Sequence, residues 1–501
     1  MSVNPAQPAQ PAQHALAAEE TLDPQSWQTM RALAHRAVDD GFDWLSSVRS
    51  RPVWQPTPEA IAARLREPLP RSPQGAERAY QDFVECVLPF PMGNVHPRFW
   101  SWFMGNGTAL GAVGDFLAAI VNPNMGGGNH AAILVESQVL DWCKQIVGLP
   151  PESGGLLLSG GSMANLIGLT VARNVMAPVE VRALGVRALP APLRFYASSE
   201  VHSCVQKSLE LLGLGAQALC KVPIDADFRI DIGALQELIR VDRQAGLLPA
   251  CVVGSAGTIN TGSVDDLTAM AAVCRRERLW FHVDGAIGAV VALAPVRRSL
   301  VAGIELADSV ALDLHKWLHV PFEAGCALVR DSGAQRAAFA LTPAYLQHAE
   351  RGLAGGSLWF SEYGPQLSRG FRALKVWLSF KEHGLDKFGR LIDQNIDQAH
   401  ALAALIRAQP RLELMAPVVL NIVCFRYRPE GLAGPGLNAC NEELLIRLHE
   451  SGVAAPSYTT LDGQYCLRAA IANHRTVSAD LQVMVDAVLE LGAKLVRERS
   501  W

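Results

Sequence analysis

The chain has no long hydrophobic run. No stretch of about 18 uncharged apolar residues occurs, so no membrane-spanning helix is expected. The most apolar segment, Gly285 to Val296, is short and ends at Arg297-Arg298. An excess of one charge is missing as well. The 44 basic and 48 acidic residues leave a net charge of −4, which gives no electrostatic case for a nucleic-acid partner. The ten cysteines form no C-x-x-C pair and no Cys/His cluster at zinc spacing. No metal site is expected, and free thiols in a reducing cytoplasm are the simplest reading. No G-x-x-x-x-G-K-[ST] sequence exists, which argues against a P-loop nucleotide enzyme. Gly213-Leu214-Gly215-Ala216-Gln217-Ala218 formally matches a dinucleotide fingerprint, but it follows a helical pattern rather than a strand and is rejected. The N-terminus lacks the basic-then-apolar order of a signal peptide. Instead Pro5 to Gln13 repeats Pro-Ala-Gln three times, a tract that buries little, so residues 1–20 are expected to be a disordered tail.

What is present suits a compact enzyme. Of 501 residues, 50% are hydrophobic and 18% charged, enough for a large core divided among two or three domains. Residues 21–105 read as a helical N-terminal segment, with helix starts at Thr21-Leu22-Asp23-Pro24 and Thr57-Pro58-Glu59. The segment is too polar and thin for its own core and is expected to pack on something else, a second subunit included. From Gly154 to about Val329 short apolar runs alternate with helical patterns. Leu156–Leu158, Leu193–Ala197, Ala250–Ala256, Leu279–Asp284 and Ser309–Leu314 read as strands. This βαβ rhythm predicts an α/β fold with a mostly parallel sheet covered on both faces. After two long helices, around Arg369–Gly384 and Lys387–Ala408, the pattern changes to a smaller α+β unit. The expected divisions are 106–390 for the large domain and 391–501 for the small one.

Four places carry chemistry. Ala307-Asp308-Ser309-Val310-Ala311-Leu312-Asp313-Leu314-His315-Lys316-Trp317 is a β-rich run ending in a lysine between an imidazole and an indole. Desolvation lowers an amine's pKa and readies it to attack a carbonyl, so Lys316 reads as the carrier of a cofactor; a snorkelling lysine at a strand end is the bland alternative. Gly160-Gly161-Ser162, between a strand and a helix, offers close backbone approach, free N–H groups and a hydroxyl: a phosphate cradle, or simply a tight turn with a cap. Asp284 ends the strand in His282-Val283-Asp284-Gly285-Ala286, where parallel sheets bind ligands. It could face a pyridine nitrogen, with the small Gly285 and Ala286 leaving room for the ring, or cap the next turn. His202, opening a helix, could stack on a planar ring or be a cap-region histidine. His96 to Phe103 is dense in aromatics and could fill the core or wall a pocket for a flat substrate.

The order cradle, His, Asp, Lys resembles that of the pyridoxal-phosphate-dependent group II amino-acid decarboxylases. The resemblance runs from about Asp23 to the C-terminus. It rests on His282-Val283-Asp284-Gly285-Ala286, Asp313-Leu314-His315-Lys316-Trp317, Pro343-Ala344-Tyr345-Leu346-Gln347-His348 and Leu367 to Lys375. It implies the aspartate-aminotransferase type I fold, pyridoxal 5'-phosphate (PLP) held covalently on Lys316, and Asp284 as partner of the pyridine nitrogen. His202 is implied to stack on the ring, and Gly161 and Ser162 to hold the phosphate, with Thr258, Ala286 and His315 nearby. Tyr345 resembles the loop tyrosine that returns a proton to Cα, and a homodimer follows from the family. The implied function is decarboxylation of an L-amino acid to its amine in the cytoplasm. The residues at His202 and Tyr345 are of the decarboxylating type rather than the aldehyde-forming one.

The chain departs from the pattern at Met163, at Gly370 and in the glycine-rich Asn122–His130 segment, which bears on substrate more than on reaction. His315-Lys316-Trp317 favours the aromatic or diaminobutyrate branches over glutamate decarboxylase. Trp100, Trp102 and Phe103 favour a bulky or aromatic side chain, and Arg369 is a further candidate substrate contact. The competing readings are another PLP-dependent carbon–carbon lyase or transaminase, an aldehyde-forming synthase, and a non-catalytic protein that kept the fold.

Overall fold

The computed structural model describes residues 20–341, 349–356 and 358–498. The Pro-Ala-Gln tail lies outside these residues. The chain forms two compact units: residues up to Ser47 with Pro58–Pro89, and Val48–Thr57 with Phe90 to the C-terminus.

The smaller unit is three helices, Trp27–Ser46, Glu59–Arg64 and Ala76–Cys86. The first begins later than the sequence suggested. Ser26, not Thr21, caps it, accepting a hydrogen bond from the Thr29 N–H at 3.2 Å. No residue of that helix is buried, and polar pairs join the unit: Tyr80 donates to Asp40 at 2.6 Å and Arg36 pairs with Glu77 at 2.6 Å.

The larger unit contains all the strands. In chain order they are β1 (Phe99–Trp100), β2 (Gly154–Leu158), β3 (Leu193–Ser198), β4 (Leu219–Val222), β5 (Leu248–Ser255), β6 (Trp280–Asp284) and β7 (Ser309–Asp313). They continue with β8 (Gly325–Val329), β9 (Leu412–Leu414), β10 (Ile422–Tyr427), β11 (Ala455–Leu461) and β12 (Gln464–Ala470). A seven-stranded sheet runs in the order β2-β8-β7-β6-β5-β3-β4. Pairing is parallel from β4 through β7 and antiparallel at β8 and β2, so the sheet is mostly parallel as the pattern predicted. Strands β2, β6 and β7, which read from the sequence as apolar runs without alternation, are buried at every position, and so is β8.

A five-stranded sheet, β1-β11-β12-β10-β9, forms the second layer. Its edge strand β1 pairs in parallel with β11, Phe99 opposite Ala455, so the aromatic segment near residue 100 belongs to the C-terminal sheet. The expected division at 390/391 falls inside the helix Leu385–Arg407. Ile392 and Ile396 of that helix pack into the core of the large sheet, whereas Ala399, Leu402 and Ile406 pack into that of the small one. A rigid helix shared by two cores leaves no linker. Among the described residues no helix is long and apolar enough to cross a membrane.

Candidate active site

Strand β2 delivers the chain to Ser159 and Gly160, and the helix Gly161–Met176 begins at once. Glycine is required here by space. A Cβ on Gly161 would lie 2.8 Å from Asp313 Oδ2 and 3.0 Å from Ala286 Cβ, and one on the facing Gly325 would lie 2.4 Å from Gly160 Cα. The Gly160 carbonyl accepts from the N–H groups of Met163 and Ala164, both at 3.0 Å. The preceding N–H groups, at Gly161 and Ser162, have no intrahelical acceptor, and both residues line the cavity at the positive end of the helix dipole.

Strands β6 and β7 end side by side at the same cavity. Asp284 is buried and accepts from the Ala286 N–H at 3.2 Å, so it caps its own turn as well as facing the cavity. After β7 the chain folds back, with the Leu314 and His315 N–H groups both donating to Ala324 O. This turn points Lys316 inward, its Nζ 2.8 Å from Asp313 Oδ2. Burial draws the lysine ammonium down, yet the charge and hydrogen bond of Asp313 and the charge of Asp284 outweigh it, and the net direction is up. Desolvation alone would lower the Lys316 pKa; the carboxylate three residues earlier reverses the sign.

His315 accepts from the Ala324 N–H at Nδ1 (3.1 Å) and rests 4.4 Å from the Phe322 ring. Burial lowers its pKa, against the opposing charge of Asp313. His202 caps the helix Ser203–Leu211, accepting from the Cys204 N–H at 3.2 Å. Its pKa is lowered too, by burial, with Asp284 opposing. Thr258 closes a tight loop after β5: its N–H donates to Ser263 O at 2.8 Å and its hydroxyl accepts from the Ser263 N–H at 3.1 Å.

Gly161, Ser162, His202, Thr258, Asp284, Ala286, His315 and Lys316 thus line one cavity of about 430 Å³ at the C-terminal ends of the parallel strands. Three of the substrate-side expectations are placed elsewhere. Phe103 is a core residue, edge-on to Trp317 at 5.8 Å. Trp102 is 53% exposed and does not line the cavity. Arg369 is fully buried on the ion pair with Glu136, also donates to Met125 O and Leu157 O, and does not line the cavity. Tyr345 lies outside the described residues.

The pyridoxal-dependent decarboxylase conserved domain matches residues 58–428. The chain belongs to the pyridoxal-dependent decarboxylase family. The aromatic-L-amino-acid decarboxylase of Bacillus atrophaeus is 34% identical over 92% of this chain and 95% of its own length. The enzyme of that name from Sus scrofa is 28% identical over the same shares. Among solved structures, Oryza sativa TDC with PLP and tryptamine superposes with a TM-score of 0.87 at 26% identity, over 95% of this chain and all of that one. The protein is accordingly a PLP-dependent amino-acid decarboxylase.

The residues present fit PLP. The cradle is kept open by glycines whose Cβ atoms would fill it, a lysine amine stands within the cavity, and Asp313 leaves one buried oxygen, Oδ1, without a partner among the described residues. Asp313, Asn165, Cys204, Ile287 and Glu323 also line this decarboxylase cavity, although no role was expected of them from the sequence. Asp313 was visible as a charge within an apolar strand. Asn165 and Cys204 had no signal, since each lies inside a helix and reaches the cavity only through packing.

Proposed function

We propose that the chain converts an aromatic L-amino acid to its amine and carbon dioxide, with PLP carried on Lys316. The observation that carries this reading is the composition of the cavity wall. Among the described residues that line it, Lys316 is the only lysine or arginine, and Asp284, Asp313 and Glu323 are acidic. A second carboxylate on the substrate would find repulsion and no counter-ion, so glutamate and aspartate are disfavoured. The apolar wall of Met163, Ile259 and Ile287 suits a flat apolar side chain. The substrates and products named for the relatives, tryptamine among them, agree.

Bound PLP supplies an electron-withdrawing ring that accepts the electron pair left when carbon dioxide departs. The chain's own groups do the rest. Lys316 would hold the cofactor through its amine. Asp284 would keep a proton on the pyridine nitrogen, as an anion within the cavity favours the charged form. The N–H groups at Gly161 and Ser162 would hold the phosphate, with Thr258 and His315 beside them. His202 would stack on the ring and orient the substrate, and the small Ala286 would leave room for the ring. Tyr345 would return a proton to the substrate Cα.

The test is turnover of tyrosine, tryptophan, phenylalanine, 2,4-diaminobutyrate, glutamate and aspartate by purified enzyme, with carbon dioxide and amine both measured. Equal yields of carbon dioxide and an aromatic amine are expected. Aldehyde, ammonia and hydrogen peroxide as main products, or activity confined to glutamate or aspartate, would refute the proposal. Lys316→Ala is expected to abolish both turnover and the visible absorption of the holoenzyme while leaving the circular dichroism spectrum unchanged.

The active form is a homodimer in this reading. The helix Ala109–Val121 leaves Phe116, Leu117, Ile120 and Val121 exposed on one face, beyond what an isolated helix surface needs. A cytoplasmic location is supported by ten free, buried cysteines, which a reducing compartment maintains.

A further inference from the structure

From the cavity wall at Gly161 and Asn165 a chain of buried polar groups, which the proposed reaction does not use, runs into the core. Trp280 Nε1 lies 2.8 Å from Ser309 Oγ, which lies 2.7 Å from His282 Nδ1. His282 Nε2 lies 2.7 Å from Asn165 Oδ1, and Asn165 Nδ2 lies 2.9 Å from the Gly161 carbonyl oxygen. A backbone carbonyl can only accept, so Asn165 turns its NH2 to Gly161 and its oxygen to His282, whose Nε2 therefore carries a proton. Burial keeps the imidazole neutral: it pulls the His282 pKa down to about 4, against the opposing charge of Asp284. Nδ1 is then an acceptor, and the Ser309 hydroxyl, which accepts from the Trp280 indole N–H, donates to it.

The connection has a geometric consequence. His282 and Asp284 stand two residues apart on β6 and so project from the same face. The His282 ring is seated against Gly168, where a Cβ would approach its Cε1 to 2.6 Å. Strand β6 is thereby fastened, through Asn165, to the first turn of the cradle helix.

We propose that His282 is a positioning residue for the cofactor: through Asn165 it holds the Gly161–Ser162 cradle at the distance from Asp284 that matches the span between phosphate and ring nitrogen. The proposal rests on the reading of this cavity as the PLP site.

The test compares two ligands that differ only by the phosphate. Cofactor-free enzyme is titrated with PLP and with pyridoxal, following tryptophan fluorescence, for wild type, His282→Leu, His282→Gln and Asn165→Leu. In wild type PLP binds far more tightly. His282→Leu and Asn165→Leu are expected to cut the PLP-over-pyridoxal preference by about tenfold or more, since aligned hydrogen bonds to a charged phosphate are lost, while pyridoxal affinity changes by no more than about threefold. His282→Gln, whose amide can still donate to Asn165, is expected to retain most of the preference. A merely structural role for His282 would weaken both ligands equally, and an unchanged ratio in the leucine variants would overturn the proposal. Thermal unfolding of each cofactor-free variant identifies any that fails to fold, and the remaining variants then decide. If wild type binds neither ligand, the cofactor reading itself fails, and that result is distinct from an unchanged ratio.

Discussion

Arg369 shows how far a residue's chemical type is from its role. The sequence presents an arginine in a motif that resembles the decarboxylases. The structure places it at 0% side-chain exposure against Glu136, also at 0%, with further hydrogen bonds to backbone carbonyls and its guanidinium 5.2 Å from the Phe360 ring centroid. Burial pushes the Glu136 carboxyl up, and Arg369 is the charge that opposes this. Arg369→Met is therefore expected to destabilise the protein by about 3–5 kcal/mol, because a buried carboxylate is left without its partner. Urea unfolding of the cofactor-free form measures this, and Glu136→Gln combined with Arg369→Met should recover a large part of the loss. Lys316 is the complementary case. Its position at the end of an apolar strand was legible from the residues, but the sign of its pKa displacement was not, because Asp313 acts through a 2.8 Å contact that only the turn creates.

At the scale of the element, the turn that follows β7 carries more than the lysine. One helical step beyond Lys316, His319 has a positive φ of 54° and is buried, with neither ring nitrogen hydrogen-bonded to the described residues. Its ring centroid lies 5.0 Å from that of His474, whose Nε2 is 3.2 Å from Gly107 O. His383, Arg475 and Lys387 are the other charged or titratable groups that act on the pair. Burial takes His319 well below 6.5 and His474 to about 4, with neighbouring cations adding to the effect. Both rings are neutral in the fold, so the unfolded chain takes up protons first as pH falls. Stability from these groups is complete above about pH 6.5 and is lost as pH falls toward about 4. Thermal midpoints recorded across that range should fall less steeply in His474→Gln than in wild type. A parallel or steeper fall would refute this. Such pairs are hard to read from sequence, since 155 positions separate the two histidines and nothing local joins them.

At the scale of the whole molecule, the exposed helix face at Phe116, Leu117, Ile120 and Val121 makes the assembly testable. Wild type is expected to sediment as a dimer at micromolar concentration. Ile120→Glu with Val121→Glu should shift it to monomer, as two charges would have to be desolvated in the contact. A wild-type monomer, or charged variants that remain dimeric, would count against the proposed interface. The two-core arrangement also bears on truncation. The helix Leu385–Arg407 contributes to both hydrophobic clusters, so the large and small sheets share structure that no domain boundary near residue 390 would respect.

The sequence alone determined what depends on local pattern. Alternating apolar runs and helices fix a parallel α/β core, since buried parallel strands must be apolar on both faces. The glycines before the helix at 161, the strand-end Asp284 and the strand-end Lys316 mark the site, because such sheets bring their strand ends together. Short strands without alternation, such as β4 and β8, and the helix Ala109–Val121 had no distinctive period and were not assigned. The tertiary structure decided what depends on contacts between distant residues: the entry of β1 into the C-terminal sheet, the burial of Phe103 and Arg369 away from the cavity, the raised pKa of Lys316, and the link from Trp280 to Gly161 through His282. Charge and hydrogen-bond energies depend on separations of a few ångströms, and those separations come into being only when the chain packs.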